Sequence, residues 1–244
     1  MPVRRQLRAV SDIAPVDEER MFALFSRYYK DVTFERFRAD LAGKNHVVLL
    51  SDGDRLVGFT TILRQRRGQA TCLFSGDTVI DERYWGTKHL QVAFLSYIVR
   101  LKLRRPHRPL YWMLMSKGYR TYLLLRNFKV AYPTEKRPTP AALQRMMDEF
   151  YGDRFGGAYR AEDGLIVFSE RQGAVRDGIA DPHSEAAGDE RVRFFCSRNP
   201  RFAEGEELAC IAKVRLIDLA RLAMHYTIGM VGLGGRAKTS ATRT

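Results

Sequence analysis

Apolar and polar positions along this chain fall into short blocks whose period changes repeatedly, and the changes of period mark its elements. Val3 to Val10 alternates as a strand does, while Asp17 to Tyr29 carries Phe22, Phe25 and Tyr29 at helical spacing behind an acidic first turn. A second helix is expected from a Thr33 N-cap to Gly43, a natural C-terminal stop. His46 to Leu50 and Arg55 to Leu63 read as strands around Ser51-Asp52-Gly53-Asp54, where Asp-Gly is a strong hairpin signal. Ala70 to Ile80 (strand), Lys88 to Arg104 (helix), Pro109 to Met115 (strand), Tyr119 to Arg126 (helix) and Phe128 to Ala131 (strand) follow. Strands interleaved with helices in this way predict an α+β protein, a mixed sheet with helices packed on it.

The region after Pro133 has a different texture. Thr139-Pro140 suits an N-cap and first turn for a helix through Tyr151, ending at Gly152, with Leu143, Met146, Met147 and Phe150 on one side. Gly164 to Ser169, Val192 to Cys196 and Leu208 to Val214 read as strands. Gln172 to Glu190, rich in Gly, Ala, Asp and Ser, reads as a mobile loop, and a last helix over Leu216 to Met230 becomes almost wholly apolar from Leu222. The expected organisation is a core over residues 1–133 and an α+β extension over 134–244, packed on the core.

The stretch richest in chemistry is Ile80-Asp81-Glu82-Arg83-Tyr84-Trp85-Gly86-Thr87-Lys88-His89-Leu90, a strand that turns directly into a helix. Such a turn leaves backbone N–H groups without internal partners at the positive end of the helix dipole, which suits a phosphate. With this turn at its centre, the order of elements over residues 3–133 resembles the GNAT (GCN5-related) N-acyltransferase superfamily. Family members carry an Arg/Gln-x-x-Gly-x-Gly/Ala turn that holds the pyrophosphate of coenzyme A. Here Arg83-x-x-Gly86-x-Lys88 fits that turn, as does Tyr84-Trp85-Gly86 laid over the family's Tyr-Arg-Gly; the later glycine becomes Lys88 or Leu90. The resemblance implies a mostly antiparallel mixed sheet flanked by helices. It also implies an acyl-CoA or acyl-carrier-protein thioester as co-substrate, held by Ile80, Arg83, Trp85, Gly86, Thr87 and Lys88.

The family's chemistry is direct attack of an amine on a thioester, which needs a base for the ammonium and an acid for the leaving sulfur. Asp77, sharing a strand face with Val79, is the first candidate base, and Glu82 the second. For the acid the family offers a tyrosine on the short helix after the next strand. Leu123 occupies that place here; Tyr122 sits one residue earlier, about 100° around a helix, and Tyr119 lies on nearly the same face as Tyr122. Ser116, at the strand end where the family often has Asn, could orient substrate or water. Asn127-Phe128 replaces the family's Gly-Phe, with Asn able to adopt the left-handed conformation. His89 reads as a helix-surface residue and His46 as a strand residue.

Charge divides the chain: residues 1–133 carry 24 Lys+Arg against 12 Asp+Glu, and residues 134–244 carry 17 against 16. The densest clusters are Arg64, Arg66 and Arg67, and Arg100, Lys102, Arg104, Arg105 and Arg108. A field of this sign attracts the phosphates of coenzyme A, an acidic acyl carrier protein, anionic headgroups in a peripheral membrane contact, or nucleic acid. Nucleic acid is disfavoured, since no helix-turn-helix, zinc-finger or RNA-binding signature occurs and Leu90, Phe94, Tyr97 and Leu101 recur as a core-facing stripe. Cys72, Cys196 and Cys210 are odd in number and lack metal-ligand spacing, so neither a disulfide framework nor a metal site is expected. No signal peptide or membrane span is legible, and a cytoplasmic enzyme is the expectation. The competing class is a GNAT-shaped binding module without activity, using its basic face for a protein partner or a membrane surface. The apolar terminal helix with Met146, Met147 and Phe150 suits a medium- or long-chain acyl donor.

Overall fold

A computed structural model describes residues 3–168 and 188–224. These residues form an α+β protein with a mostly antiparallel mixed sheet flanked by helices. The strands are β1 (Arg4–Ala9), β2 (His46–Asp52), β3 (Arg55–Arg67), β4 (Ala70–Ile80), β5 (Leu110–Ser116), β6 (Ala131–Tyr132), β7 (Tyr159–Arg160), β8 (Leu165–Ile166) and β9 (Glu207–Lys213). Their order across the sheet is β1-β2-β3-β4-β5-β9-β8-β7, with β6 also pairing β9. Every pairing is antiparallel except β4 with β5. The helices are α1 (Pro15–Phe25), α2 (Phe34–Ala42), α3 (His89–Arg104), the single turn α4 (Tyr119–Tyr122), α5 (Ala141–Phe155) and α6 (Glu190–Arg198). A further helical segment covers 216–224.

Two layers of helices sandwich the sheet because successive strand residues point to opposite faces. Leu73, Trp112 and Leu114 join Leu90, Tyr97 and Ile98 of α3, Tyr122 of α4 and Phe195 of α6 on one face. Cys72, Phe74 and Met113 join Met147, Phe150 and Tyr151 of α5 on the other. Val47, Leu49, Phe59 and Val79 pack on that second face against α1 and α2 through Met21, Leu24, Phe37 and Leu41. Thr33 caps α2 by accepting from the Arg36 amide at 3.3 Å.

Several expected elements take other forms. Val192 to Cys196 is not a strand but part of α6: Asp189 accepts from the Arg191 amide at 2.8 Å, and Val192 and Phe195, three residues apart, share the buried face. A five-residue apolar run fits either period, and the acidic cap decides for the helix. α1 stops at Phe25, where the Ser26 hydroxyl turns back to the Ala23 carbonyl, yet Phe25 and Tyr29 still stack at 4.4 Å. The expected helix from Tyr119 to Arg126 is one α-turn followed by a 3-10 turn over Leu123–Asn127, and the strand after it shrinks to Ala131–Tyr132. Asn127 does not adopt the left-handed conformation; its side-chain amide donates to the Leu124 carbonyl at 2.9 Å instead. α5 runs through Gly152 because Tyr151 and Phe155 continue its apolar stripe, and it ends at Gly156, whose φ is 54°. β8 covers only Leu165–Ile166 of the strand expected from Gly164 to Ser169. The loop expected from Gln172 lies outside the described residues as far as position 187, as does the apolar run after Met224.

One irregularity positions the site. Thr60 pairs Thr78 and Ile62 pairs Ser75, so Gly76 and Asp77 stand opposite Thr61 alone: a β-bulge on β4. A Cβ on Gly76 would lie 2.4 Å from Thr61 Oγ1 and 2.8 Å from Lys44 Cε. The Thr61 hydroxyl is buried without a hydrogen-bond partner among the described residues. Gly76→Ala is therefore expected to lower unfolding stability in urea by about 1–3 kcal/mol, and adding Thr61→Ala to recover most of the loss. Equal destabilisation of the single and double variants would show that this close approach does not shape the bulge.

Candidate functional site

β4 and β5 pair from Thr71–Leu110 to Phe74–Met113 and then part, although β4 continues to Ile80 and β5 to Ser116. Past Phe74 the β5-facing backbone groups of β4 have no strand to pair with among the described residues, so an edge opens inside the sheet. A cavity lies against each face at this gap. Ser75, Thr78, Leu114 and Thr121 line both.

The first cavity, about 580 Å³, runs between α3 and the gap. Ile80, Trp85, Gly86 and Thr87 stand at one end, and Leu90, Phe94, Ile98, Leu124, Phe128 and Leu222 supply an apolar wall. Gly86 takes φ 76°, which side-chain-bearing residues rarely adopt, and a Cβ there would meet nothing within 4 Å. The Thr87 amide and hydroxyl both turn back to the Tyr84 carbonyl, at 3.2 and 2.6 Å, so Thr87 fixes the turn and its amide is not free for a ligand. The first bond inside α3 runs from the Val92 amide to the Lys88 carbonyl, and no side chain caps this end. The amides of His89, Leu90 and Gln91 therefore precede the helix's own ladder, next to Gly86.

The turn is braced electrostatically. Asp81 is buried and accepts from the Arg83 amide and side chain at 3.2 and 3.1 Å; Arg55 also bonds it, and Arg27 lies 3.7 Å away. Arg83 is thereby drawn onto Asp81 at the turn's base. The Glu82 amide donates to the Tyr28 hydroxyl at 2.8 Å, and Trp85 donates to the Ile80 carbonyl at 3.0 Å. Arg5 reaches His89 Nδ1 at 3.2 Å. Burial and that guanidinium lower the His89 pKa and keep it neutral beside the helix terminus.

The second cavity, about 700 Å³, lies under α2 and α5 and contains Asp77. Among the described residues Asp77 has neither hydrogen bond nor ion pair, and five charged groups surround it: Asp40 and Lys44 from the α2 end, Arg154 from α5, Lys117 after β5 and Glu207 of β9. Desolvation first, then the like charge of Asp40, raises the Asp77 carboxyl to about 6, against the opposing pull of Lys44 and Lys117. Lys44 has 1% side-chain exposure, yet its ammonium pairs with Asp40, not Asp77. Asp40 also takes Arg154 at 3.0 Å, and Lys117 takes Glu207 at 3.4 Å. Burial lowers the Lys44 pKa and raises those of Glu207 and Tyr29.

The remaining sequence candidates stand elsewhere. Glu82 is exposed on the outer side of the turn and lines neither cavity. Tyr122 is buried between Phe194 and Phe195, and its hydroxyl donates to the Pro133 carbonyl at 2.9 Å. Tyr119 sits against Arg120 (3.4 Å) outside both cavities, and Ser116 is fully buried 3.7 Å from the Cys210 sulfur. His46 packs on Tyr97 in β2. Met147 and Phe150 are core residues and line neither cavity, whereas Leu222 lines the first. The Arg104–Arg108 cluster lies at the far end of α3, about 24 Å from Gly86 for its 16 residues. Thr78, Thr121, Asp40, Lys44 and Glu207 went unmarked in the sequence, which carries no local pattern joining them. No group of His, Cys, Asp and Glu among the described residues could hold a metal, and no described helix is long and apolar enough to cross a membrane.

The Asp77 carboxyl holds its proton to a higher pH than an unfolded aspartate, so folding is favoured at low pH and loses that contribution as the pH climbs from about 4 to about 6. Asp77→Asn is expected to raise Tm at pH 8 and to lose this advantage near pH 4. In carboxyl ¹³C titrations, Asp40→Asn should lower the Asp77 midpoint, by removing a like charge and releasing Lys44, and Lys44→Met should raise it. Shifts of the same sign in both variants would contradict this arrangement.

No protein-family model and no curated protein sequence matches this chain. Among solved structures, Escherichia coli ElaA is similar over 55% of this chain and 95% of its own, at 18% identity and a TM-score of 0.39. An acyl-CoA N-acyltransferase from Pseudomonas aeruginosa is similar over 55% of this chain and 92% of its own, at 13% identity and a TM-score of 0.43. The GNAT family N-acetyltransferase YhbS of Escherichia coli, solved with CoA, is similar over 48% of this chain and 65% of its own, at 14% identity and a TM-score of 0.34.

Proposed function

We propose that the protein is an N-acyltransferase that passes an acyl group from a coenzyme A thioester to an amine through the gap between β4 and β5. The observation that carries this reading is the unpaired Asp77 carboxyl beside a gap onto which two cavities open. On the α3 side, the turn at Gly86 and the first amides of α3 suit the phosphate arm, with Arg5, Arg27 and Arg55 adding positive charge around it. The open edge of β4 suits the amides of an extended pantetheine-like arm and offers a backbone N–H to the thioester oxygen as negative charge develops there.

The chemistry then needs few parts. Asp77 takes a proton from the acceptor ammonium, the freed amine forms the C–N bond, and the C–S bond breaks to release a thiolate, which takes up the second nitrogen proton to leave a neutral amide and a thiol. A thiol has a pKa near 8.5, so its thiolate leaves without a dedicated acid, consistent with Tyr119 and Tyr122 standing outside the gap. An inactive binding module would gain nothing from a half-buried carboxyl kept without an ion pair, since such a group weakens the fold at neutral pH. The apolar wall from Leu90 to Ile98, with Leu222, supports a donor longer than acetyl, each buried methylene contributing about 0.8 kcal/mol.

Donor binding by calorimetry and thiol release with an amine panel test the reading. Gly86→Val forces a β-branched residue to positive φ and is expected to weaken coenzyme A binding at least tenfold, whereas Gly86→Asn retains most of it. Asp77→Asn is expected to keep donor affinity while turnover falls by roughly 10²–10⁴. Full turnover in Asp77→Asn would remove the base from the mechanism. A higher kcat/KM for octanoyl- than for acetyl-CoA is expected, with the same chains on acyl carrier protein giving no gain.

A further inference from the structure

The acceptor-side cavity has room for a single new positive charge. Asp40 already serves Lys44 and Arg154, and Glu207 serves Lys117. Asp31 stands exposed at the rim, which leaves Asp77 as the carboxylate inside that has no ion pair among the described residues. Arg36, Lys44, Lys117 and Arg154 line the same walls, so a second ammonium inside the cavity would lie near a cation.

Part of the remaining wall is aromatic. Phe155 and Phe168 meet edge to face at 5.8 Å and 80°, and Phe155 also meets Phe74 at 6.2 Å. Both Phe155 and Phe168 stay partly exposed, and Tyr29, stacked on Phe25, lines the cavity with them. Aromatic pairs prefer edge-to-face or offset contacts, and a third ring at this corner would also meet the Arg154 guanidinium, which lies 5.5 Å from the Phe155 centroid.

Resting on the acyl-transfer reading, we infer that the acceptor is a primary monoamine bearing an aromatic ring, its nitrogen at Asp77 and its ring against Phe155 and Phe168. Polyamines and lysine side chains of peptides fit worse, the first for their extra charges and the second for the bulk and charge that follow them into a cavity of about 700 Å³.

The test uses the full chain with acetyl-CoA and four acceptors: 2-phenylethylamine, butylamine, spermidine and a lysine-containing peptide. Phenylethylamine is expected to give the highest kcat/KM, and Phe168→Ala to raise its KM roughly 2- to 12-fold, the range equivalent to an aromatic pair, with kcat little changed. Phe155→Leu, a milder change, is the second variant should Phe168→Ala fail to fold. Preference for spermidine or the peptide, or equal kcat/KM for butylamine and phenylethylamine, would overturn the assignment while leaving acyl transfer intact. Calorimetry separates the two readings. Phenylethylamine that binds, loses affinity in Asp77→Asn and is never acylated would keep the amine site and sink acyl transfer; no binding and no turnover would sink the amine site.

Discussion

The candidate site depends on β4 and β5 parting after four residue pairs. Parallel strands that start in register normally continue, since each further pair satisfies backbone groups at little cost. Here two features turn them apart. The bulge at Gly76 and Asp77 bends and twists β4. β5 meanwhile stays tied to β9 as far as Ser116–Leu208, and the buried Tyr151 hydroxyl of α5 donates to the Cys210 carbonyl at 2.7 Å with the Leu114 carbonyl 3.2 Å away. The sheet therefore opens here, and past Phe74 no described strand pairs with β4 on the β5 side.

Electrostatics within the gap follow from one carboxylate that binds two cations. Asp40 holds both the buried Lys44 ammonium and the Arg154 guanidinium, so neither neutralises Asp77 by direct contact. Asp77 stays unpaired and partly desolvated, which disfavours its charged form and leaves it basic enough to accept a proton near neutral pH. Such an arrangement weakens the fold above the carboxyl's own pKa. Perturbed carboxylates of this kind tend to gather at functional sites.

Much of this was legible in the sequence, and what was not shares a cause. The turn at Gly86 and the carboxylate at Asp77 belong to a local strand–turn–helix, so spacing along the chain exposes them. Asp40, Lys44, Lys117, Arg154 and Glu207 reach the same cavity from α2, the loop after it, the end of β5, α5 and β9, and no periodicity brings them together. Tyr122 shows the opposite failure: its place on a short helix after β5 suggested chemistry, but an aromatic bed of Phe194 and Phe195 and a bond to Pro133 make it a core residue. The same packing converts Val192 to Cys196 into helix, because Phe195 must face Tyr122 from a helical stripe.

Glu207 and Leu222 bring the two halves of the chain into one account. β9 lies beside β5 inside the sheet, not on a surface of it, and carries Glu207 to the cavity that contains Asp77. The helical segment at 216–224 then carries Leu222 to the α3-side cavity. The buried clusters are mixed in the same way, with Leu208, Cys210 and Ala212 packed among Trp112 and Leu114. A chain ending at Pro133 would expose the β9-facing edge of β5 and lose the Glu207 partner of Lys117. Glu207 also acts on Asp77 directly as a like charge that raises its pKa, so residues after 133 help to set the chemistry of a carboxylate that lies well before them.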